Sequence, residues 1–424
     1  MSKVVVGLDI GTDNVRAVIA EVDSDEKVKV IGIAEKPSQG MRNGVIVNVD
    51  AAVAVIKDTI EEAELSCGTA VTSVYTIIGG AQVESINSKG GVGVDPKSGS
   101  NRPMAIREET RQRAIESARA VKFSPDKRLI HIIPQEYIVD GSNDFKKEEL
   151  IGSYGVRLEV CCHLVTASIT AYDKIVQSIY RAGYNVAADN HGVMLKTLAA
   201  SYSTIHNEEM ELGSILIDLG AGTTDVMVIN KGAPVYTASI PYGQNSVTSD
   251  IAKVKGIPYE TAEKIKVERG SAWPQDNEED TVIIPPVGGK PPEEIEQREL
   301  CAIILAREEE IMKLVKKSVV QNANIKKING SIVLTGGGAE LPGIIELTQA
   351  VWKTSSVRLG VSADFGGEDD SYRSPSFATA MGLVLANKGS SSTNKNGKKN
   401  RPAEDSAERG KNKKFFKNFL KQFF

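Results

Sequence analysis

A short pattern that occurs twice, about two hundred residues apart, constrains the fold of this chain more than any other feature of its sequence. Residues 215–225, ILIDLGAGTTD, predict a buried strand that ends at Asp218, a glycine turn and the start of a second strand. Residues 4–14, VVVGLDIGTDN, repeat this order with Asp9 at the strand end. A single string of this kind is as typical of an ordinary glycine-rich hairpin as of a phosphate-binding one. Two such strings predict a pair of similar half-domains that face each other.

Both turns carry groups that bind phosphate. Glycine lets backbone N–H groups approach phosphate oxygens closely, and threonine hydroxyls add further donors. The pair of hairpins therefore predicts one nucleotide clamped between the half-domains. The residues expected at its phosphates are Gly11, Thr12, Asp13 and Asn14 in the first turn and Gly220, Ala221, Gly222, Thr223 and Thr224 in the second.

The two strand-end carboxylates predict a metal that accompanies the phosphates. Asp9 and Asp218 occupy corresponding positions, and Mg²⁺ usually keeps several of its waters when a protein binds it. We therefore expect both side chains to hold Mg²⁺ through water. The alternative is that each aspartate caps its own turn.

A third glycine string follows another short β-branched strand. Gly336, Gly337 and Gly338 come directly after residues 332–334. Three glycines would let a flat base or a sugar lie against the backbone. Triple glycine alone also marks plain loops, so the prediction depends on the two hairpins that precede it.

Charge is distributed unevenly along the chain. The net charge is −4 over 424 residues, but residues 388–424 hold eleven Lys or Arg and three acids, so the remainder carries −12. An acidic body argues against nucleic-acid binding, and the basic tail favours an anionic partner.

Four cysteines without metal-ligand spacing are expected to be free thiols. The absence of a signal region and of a run of about twenty apolar residues predicts a protein that is neither secreted nor membrane-spanning.

The order of elements predicts an α/β layer protein of about three domains or subdomains. Residues 4–33 read as a three-stranded meander, and helices are expected at 50–63, 106–121, 171–182, 190–205, 293–321 and 376–386. Strands are expected at 71–78 and in the runs LIHIIPQEYIVDG and VRLEVCCHLVTAS. A polar, glycine-rich stretch after residue 83 and a charged stretch from residue 257 indicate two inserted modules.

The order GLDIGT, IDLGAGTTD and VLTGGGAELPG resembles the superfamily of actin, sugar kinases and heat-shock chaperone ATPases. Within it, blocks such as HIIPQEYIVDG, IPYGQNSVTSDIA and FATAMGLV are similar to the bacterial FtsA cell-division family from Val4 to Ala386. The resemblance implies an actin-like, two-lobed ATPase fold with two inserted subdomains. The implied divisions are a first core lobe (1–83 and 166–206), a small inserted subdomain (84–165), a second core lobe (207–245 and 330–386), a partner-binding insert (246–329), a linker (387–410) and a terminal helix (411–424).

The same resemblance implies ligands and partners. ATP and Mg²⁺ would be the cofactors, and Glu263 and Lys266, spaced E-x-x-K, would face the nucleoside. The partners would be the carboxyl-terminal peptide of the tubulin-like FtsZ, later division proteins and further copies of the chain in an actin-like filament. Arg307 is the candidate FtsZ contact, and a solvated helix charge is the equally weighted alternative.

One departure from the superfamily bears on catalysis. Actins and chaperones carry a Gln or Glu that orients the attacking water in the helix corresponding to residues 190–202, and NHGVMLKTLAASY contains neither. No catalytic residue is therefore identified. We expect ATP to act mainly as a conformational ligand, with slow hydrolysis at most.

The carboxyl end predicts attachment to a membrane. Residues 387–410 are polar and read as a flexible linker, and residues 411–424 would form an amphipathic helix. Its apolar half holds Phe415, Phe416, Phe419, Leu420, Phe423 and Phe424, and Lys414, Lys417 and Lys421 are on the other half. An anionic phospholipid surface suits this pattern. Docking onto a protein groove is the alternative.

The resemblance, together with the tail, implies an ATP-binding adaptor that anchors the FtsZ ring to the cytoplasmic face of the inner membrane at the division site and self-assembles into filaments. Two alternatives remain open at this point. One is a small-molecule kinase of the same superfamily, against which the missing water-orienting residue and the tail argue. The other is an actin-like membrane platform for pilus assembly.

Overall fold

The computed structural model describes residues 2–95, 102–142, 149–188, 191–274, 281–284, 293–323, 329–363, 365–367 and 369–389. The predicted linker beyond residue 389 and the predicted helix 411–424, with Lys414, Phe415, Phe416, Lys417, Phe419, Leu420, Lys421, Phe423 and Phe424, lie outside these residues.

Within the described residues, strands and helices alternate as the sequence predicts. The strands are β1 Lys3–Ile10, β2 Asn14–Val22, β3 Val28–Pro37, β4 Met41–Arg42, β5 Val45–Ile46, β6 Ser73–Ile78, β7 Val83–Gly93, β8 Met104–Ala105, β9 Lys127–Val139, β10 Tyr154–Gly155, β11 Arg157–Ser168, β12 Asn185–Val186, β13 Val193–Leu195, β14 Ser214–Leu219, β15 Thr224–Asn230, β16 Ala233–Ile240, β17 Thr281–Ile284, β18 Glu293–Glu296, β19 Ile332–Thr335 and β20 Val357–Leu359. The α-helices are α1 Val49–Cys67, α2 Glu108–Arg119, α3 Ile169–Arg181, α4 Lys196–Thr204, α5 Asn207–Leu212, α6 Gln244–Lys255, α7 Tyr259–Arg269, α8 Gln297–Asn322, α9 Ile344–Trp352 and α10 Ala378–Ala386.

The first lobe is built on a sheet in the order β12-β6-β1-β2-β3, with β13 also beside β6. The meander β1-β2-β3 is antiparallel and β6 is parallel to β1, which is the arrangement that the sequence predicts. Apolar residues of α1 and α3 bury one face of the sheet. The sheet ends at the hairpin turn between β1 and β2.

The second lobe repeats this plan with the order β16-β15-β14-β19-β20. Strands β14 and β15 are antiparallel, so that Asp218 lies opposite Asp225, and β19 runs parallel to β14. Parallel strands bring their carboxyl ends to one edge of the sheet. The β14–β15 turn and the three glycines after β19 therefore lie side by side.

Helices α4 and α10 join the lobes through close backbone contacts. A Cβ at Gly382 would collide with the carbonyl oxygen of Ala199, and a Cβ at Gly7 would collide with that of Ala380. Only glycine permits such close approach of backbones. One continuous apolar cluster runs from β1 through α4 and α10 to β14 and β15, so the core itself sets the position of one hairpin relative to the other.

A small subdomain lies between β6 and α3 of the first lobe. Its sheet has the order β7-β11-β9, and α2 covers one face of it. Polar side chains connect it to β16 of the second lobe: the Asn87 amide donates to the Val235 carbonyl over 2.8 Å, and His163 Nε2 lies 3.1 Å from Thr237 Oγ1. The subdomain thus touches both lobes.

Two predicted helices begin later than the sequence pattern indicates. Val193–Leu195 of the predicted helix 190–205 is a buried strand paired with β6, and the helix begins at Lys196. Likewise, Glu293–Glu296 pairs with Thr281–Ile284, and α8 begins at Gln297. In both cases strand pairing overrides the local helical pattern. The partner is far away in sequence for Val193–Leu195 and is a neighbouring segment of the chain for Glu293–Glu296.

The four cysteines are free, as predicted. Cys162 is buried in the core of the small subdomain and Cys161 is partly exposed, because neighbouring residues of a strand point to opposite faces. In the part of the chain that the structure describes, no helix combines the length and the apolar character needed to cross a bilayer.

Candidate functional site

A cavity of about 360 Å³ separates the two hairpin turns. Its volume is in the range of small-molecule binding sites. Both turns, the three-glycine loop and residues of α7 line it. Of the predicted nucleotide and metal residues, those in the lining are Asp9, Gly11, Thr12, Asp13, Asn14, Asp218, Gly220, Ala221, Gly222, Thr223, Glu263, Lys266, Gly336, Gly337 and Gly338.

The two turns have the same backbone hydrogen bond. Gly11 N–H donates to the Asn14 carbonyl over 3.0 Å, and Gly220 N–H donates to the Thr223 carbonyl over 3.0 Å. A Cβ would lie 2.5 Å from the first of these oxygens and 2.8 Å from the second. Glycine is thus required at both positions to close the turn, and the N–H group of each glycine is used within the turn.

The turns face each other closely across the cavity. A Cβ at Gly222 would lie 2.7 Å from Asn43 Cα and 3.0 Å from Thr12 Oγ1, both in the first lobe. The Thr12 hydroxyl in turn accepts a hydrogen bond from Gly44 N–H over 2.8 Å. Gly222 is the point where the second lobe fits against the first.

Thr224 is the one predicted nucleotide residue that does not line the cavity. Its side chain is fully buried and its hydroxyl donates to the Tyr242 carbonyl over 2.9 Å. Because side chains alternate along a strand, Thr223 faces the cavity while Thr224 fastens the hairpin to the loop before α6. The structure therefore assigns Thr224 to the support of the site.

Three buried carboxylates form the floor of the cavity. Asp9 is 4% exposed, Asp218 0% and Asp225 4%. Burial raises the pKa of Asp9 and of Asp225, and the nearby Lys196 ammonium opposes this rise in both cases. Among the described residues, Asp9 Oδ1 and Asp218 Oδ2 have no hydrogen-bond partner. Buried polar atoms of this kind normally find one.

These two oxygens agree with the predicted magnesium site. They belong to the two aspartates at corresponding strand ends, one in each lobe, and a hydrated cation would supply the missing partners. No group of three or more His, Cys, Asp or Glu side chains suited to hold a metal ion occurs in the described part of the chain. The donor set thus fits a cation held through water by Asp9 and Asp218.

Sequence reasoning missed Lys196, which lies at the centre of the carboxylates. Its Nζ donates to Asp218 Oδ1 over 2.8 Å and lies 3.9 Å from Asp225 Oδ2. The Leu195 N–H just before it donates to Nε2 of His131 over 2.9 Å. Burial lowers the pKa of His131 to about 3, so the neutral ring can accept this bond and fix the start of α4.

The glycine loop forms a second wall of the cavity. Gly336 has φ +81°, which favours glycine, and a Cβ there would lie 2.5 Å from Asp218 Oδ1. A Cβ at Gly338 would lie 2.5 Å from Nε2 of Gln244, whereas one at Gly337 would meet nothing within 4 Å. The first and third glycines are therefore required by packing, and the second presents open backbone.

Glu263 and Lys266 of α7 form a third wall. Lys266 Nζ lies 2.8 Å from Glu263 Oε2 and donates to Thr248 Oγ1 over 2.9 Å. Lys266 is buried although it is charged, and such groups need partners. This E-x-x-K pair lines the cavity, as the sequence predicts.

Behind this wall lies a buried acid that no sequence pattern distinguishes. Glu308 of α8 accepts a hydrogen bond from Nε2 of Gln244 over 2.6 Å. Burial raises its pKa to about 7, against the opposing effects of Gln244 and Lys266. In the sequence Glu308 is one of three consecutive glutamates on a charged helix, and only tertiary packing distinguishes it.

Arg307, the candidate partner contact, lies next to Glu308 on α8. Its guanidinium pairs with Asp250 Oδ2 at 2.6 Å and with Glu310 Oε2 at 2.5 Å. About a quarter of the side chain is exposed.

Comparison with known proteins now identifies the family. The family model described as "Cell division protein FtsA" matches residues 215–382, and that of the "SHS2 domain inserted in FTSA" matches residues 80–166. The Cell division protein FtsA of Borreliella burgdorferi is 40% identical over 383 residues, which are 90% of each chain. This chain belongs to the FtsA family. It is therefore a cell-division protein with partners in the division machinery.

Solved structures show the fold to be that of the actin-like ATPases. The PilM–PilN type IV pilus biogenesis complex superposes with a TM-score of 0.61 at 17% identity, covering 90% of this chain and 97% of that chain. MreB5 of Spiroplasma citri bound to ADP gives a TM-score of 0.52 at 15% identity, covering 90% and 95%. The predicted α/β, two-lobed, actin-like architecture is confirmed.

Proposed function

We propose that this member of the FtsA family binds ATP with Mg²⁺ in the cavity between its lobes. The observation that carries the proposal is the pair of glycine turns that face each other above three buried carboxylates. The N–H groups of Gly11 and Gly220 close the turns, and the other turn residues that line the cavity would bring backbone N–H donors to a polyphosphate from two sides. The open backbone at Gly337 and the pair Glu263 and Lys266 would then contact the nucleoside.

Asp9 and Asp218 would hold the metal through its waters, and the metal would neutralise phosphate charge. Helix α4 contains neither Gln nor Glu, so it offers no group to orient an attacking water. Hydrolysis is accordingly slow, and ATP acts by stabilising one relative position of the lobes.

Isothermal titration calorimetry with ATP and Mg²⁺ tests nucleotide binding. We expect saturable binding by the full chain and at least tenfold weaker binding by Gly222→Val, which would fill the gap between the turns. The matched control is Gly93→Val, at an exposed end of strand β7 outside the cavity, where a Cβ would make only an ordinary contact at 3.6 Å. Absence of binding by the unaltered chain would contradict the proposal.

We further propose that the chain ties FtsZ to the cytoplasmic face of the inner membrane at the division site. The support is the sequence of the tail, a polar linker at 387–410 followed by the pattern KNKKFFKNFLKQFF. Each Lys near an anionic surface contributes about 1 kcal/mol and each partly buried apolar residue a similar amount. Such binding is reversible for one copy, and filaments of many copies would attach firmly through avidity.

Co-sedimentation with anionic liposomes tests the tether. The full chain should pellet with the vesicles and carry purified FtsZ with it, while a chain ending at Ala386 and the variant Phe419→Glu should stay in solution. Asn418→Glu, on the polar half of the predicted helix, adds the same charge as a control. If Phe419→Glu pellets like the unaltered chain, the membrane proposal is wrong.

Arg307 is the proposed contact for the FtsZ carboxyl-terminal peptide, because it holds a cation at the surface of α8. Fluorescence anisotropy with the labelled peptide should show at least fivefold weaker binding by Arg307→Ala. Arg298→Ala is the control, since that arginine is on the same helix and pairs with Glu296. Equal affinities of the two variants would mean that Arg307 only makes its ion pairs with Asp250 and Glu310 and does not contact the peptide.

A further inference from the structure

Lys196 occupies a position that local rules of helix stability disfavour. It is the first residue of α4, where the partial positive charge of the helix dipole repels a cation. The cost is offset only by carboxylates brought from other elements, Asp218 on β14 and Asp225 on β15. Violations of local preference of this kind mark sites where a side chain is retained for another purpose.

The Lys196 ammonium is only partly used by the protein. Among the described residues it makes one hydrogen bond, to Asp218 Oδ1, because the 3.9 Å to Asp225 Oδ2 is too long for a second. An ammonium has three donors. The side chain lines the cavity and is 16% exposed, so the remaining donors can reach a ligand there.

The ammonium also lies directly beside the second glycine turn. A Cβ on Gly220 would be 3.3 Å from Lys196 Nζ, and a Cβ on Gly79 would be 3.1 Å from Lys196 Cβ. The absence of a Cβ at Gly79 and Gly220 therefore leaves space for the Lys196 side chain beside the turn. A phosphate bound to the N–H groups of that turn would lie within reach of the ammonium.

The charge around the site requires a cation before an anion can enter. Arg16 and Glu35 also line the cavity but pair with each other. With Asp9, Asp218 and Asp225 ionised, Lys196 reduces their three negative charges to a net of two. Without it, the polyphosphate of a nucleotide would face three buried carboxylates. At short range inside a protein such repulsion is strong.

We propose that Lys196 is a built-in counter-cation that contacts the polyphosphate, so that nucleotide binds to this chain without a divalent metal. This inference rests on the proposed nucleotide binding in the same cavity. The competing interpretation is that Lys196 only neutralises Asp218 within the protein.

Binding of ATP, ADP and adenosine is measured by calorimetry on the full chain, once with Mg²⁺ and once with excess EDTA. We expect the unaltered chain to bind ATP and ADP in EDTA within about tenfold of its affinity in Mg²⁺. Lys196→Met should bind both about thirtyfold more weakly in EDTA, as expected for loss of a hydrogen bond to a charged group. Adenosine affinity should be unchanged.

Lys174→Met is the matched control. Lys174 is a partly buried lysine of the same lobe that donates to the Ile46 carbonyl, and it does not line the cavity. The variant Lys174→Met removes the same charge as Lys196→Met, and its nucleotide affinity in EDTA should stay within twofold of that of the unaltered chain.

The double variant Lys196→Met with Asp218→Asn separates contact from simple neutralisation. It removes both members of the closest ion pair, so Asp218 is not left as a buried charge without its main partner, although Asp9 and Asp225 lose the nearby ammonium. It therefore gives a measurable protein even if Lys196→Met alone unfolds. The proposal expects the double variant to remain weak for ATP in EDTA. Recovery of the unaltered affinity would overturn it.

Two further outcomes separate this inference from the function on which it rests. If the unaltered chain binds ATP with Mg²⁺ but not in EDTA, the inference on Lys196 is wrong and the proposed nucleotide binding stands. If ATP does not bind even with Mg²⁺, the proposed function itself is wrong.

Discussion

The two hairpin turns share one backbone geometry but have different electrostatic surroundings. Gly11 and Gly220 each donate to a carbonyl three residues ahead over 3.0 Å. At the base of the second turn, Asp218 pairs with Lys196. At the base of the first, Asp9 lies opposite Arg16 in the sheet, and Arg16 pairs at 2.6 Å with Glu35.

This difference shows what a repeated motif carries with it. The backbone conformation is the same in both hairpins, because it depends on the glycines and on the pairing of the two adjacent strands. The neighbouring charged side chains differ, because they belong to elements that are not repeated, such as Lys196 of α4 beside the second turn. Each aspartate keeps one unpartnered oxygen, but only Asp218 has Lys196 at 2.8 Å, whereas burial raises the pKa of Asp9. The Asp218 and Asp9 variants below test this asymmetry directly, and the others test what the surrounding elements add to the site.

Asp218→Asn should have the largest effect. It leaves Lys196 without its main partner, and breaking a buried ion pair from one side costs about 3–5 kcal/mol. Urea denaturation should show a loss of this size, with at least tenfold weaker binding of ATP with Mg²⁺. Asp225→Asn is the control: its oxygen is 3.9 Å from Nζ, and we expect about 1 kcal/mol. Equal losses would mean that the ammonium is shared evenly.

Glu308→Gln should stabilise the second lobe in a pH-dependent way. The pKa of Glu308 is raised from 4.5 to about 7. Between these values the unfolded state ionises while the folded state keeps its proton, so ionisation lowers the stability of the unaltered chain as pH rises. The neutral amide removes this penalty and still accepts from Gln244.

Urea denaturation from pH 4 to pH 8 measures this effect. The variant and the unaltered chain should be equally stable at pH 4, and the variant should be more stable by up to about 3 kcal/mol at pH 8. Glu309→Gln, at a neighbouring, partly exposed position of α8 that pairs with Lys313, should not change with pH in this way. A constant difference across the range would contradict the raised pKa.

Two glycine variants should separate closure of a turn from contact between lobes. Gly11→Ala places a Cβ 2.5 Å from a carbonyl of its own turn, and such overpacking costs about 1–3 kcal/mol of stability. Gly222→Ala meets the other lobe, so we expect about tenfold weaker ATP binding with a smaller stability loss. Denaturation and calorimetry on both variants measure the two effects, and Gly337→Ala is the stability control. If Gly11→Ala and Gly222→Ala show the same ratio of stability loss to affinity loss, the two glycines do not have these separate roles.

Asp9→Asn should give the smallest change in stability, with the opposite sign to Asp218→Asn. Because burial raises the pKa of Asp9, the ionised form costs stability at neutral pH, and the amide should restore about 1 kcal/mol. Affinity for ATP with Mg²⁺ should fall about tenfold as one water-mediated ligand is lost. Destabilisation by Asp9→Asn would mean that the two aspartates are equivalent.

Much of the fold follows from local pattern. The meander of β1, β2 and β3, the hairpin at Asp218 and the helices α1 and α3 agree with the alternation of apolar residues and with the glycine and proline positions. The predicted helix starts at residues 190 and 293 were wrong because strand pairing with β6 and with Thr281–Ile284 replaced the first turns. The pairing with β6 involves a partner far away in sequence, which no local window contains. The pairing with Thr281–Ile284 is between nearby segments, and there the helical periodicity of the charged stretch hid the strand.

The sequence by itself determined where the two turns form, since Gly11 and Gly220 are required by steric limits that act over a few residues. The requirement for glycine at 336 comes in part from Asp218 on another strand. Tertiary structure alone decided which charges surround that backbone. Lys196, Asp225 and Glu308 look like ordinary surface residues until β14, β15, α4 and α8 pack together and remove water from them. Electrostatic energies depend on distance and burial, and both are properties of the folded molecule.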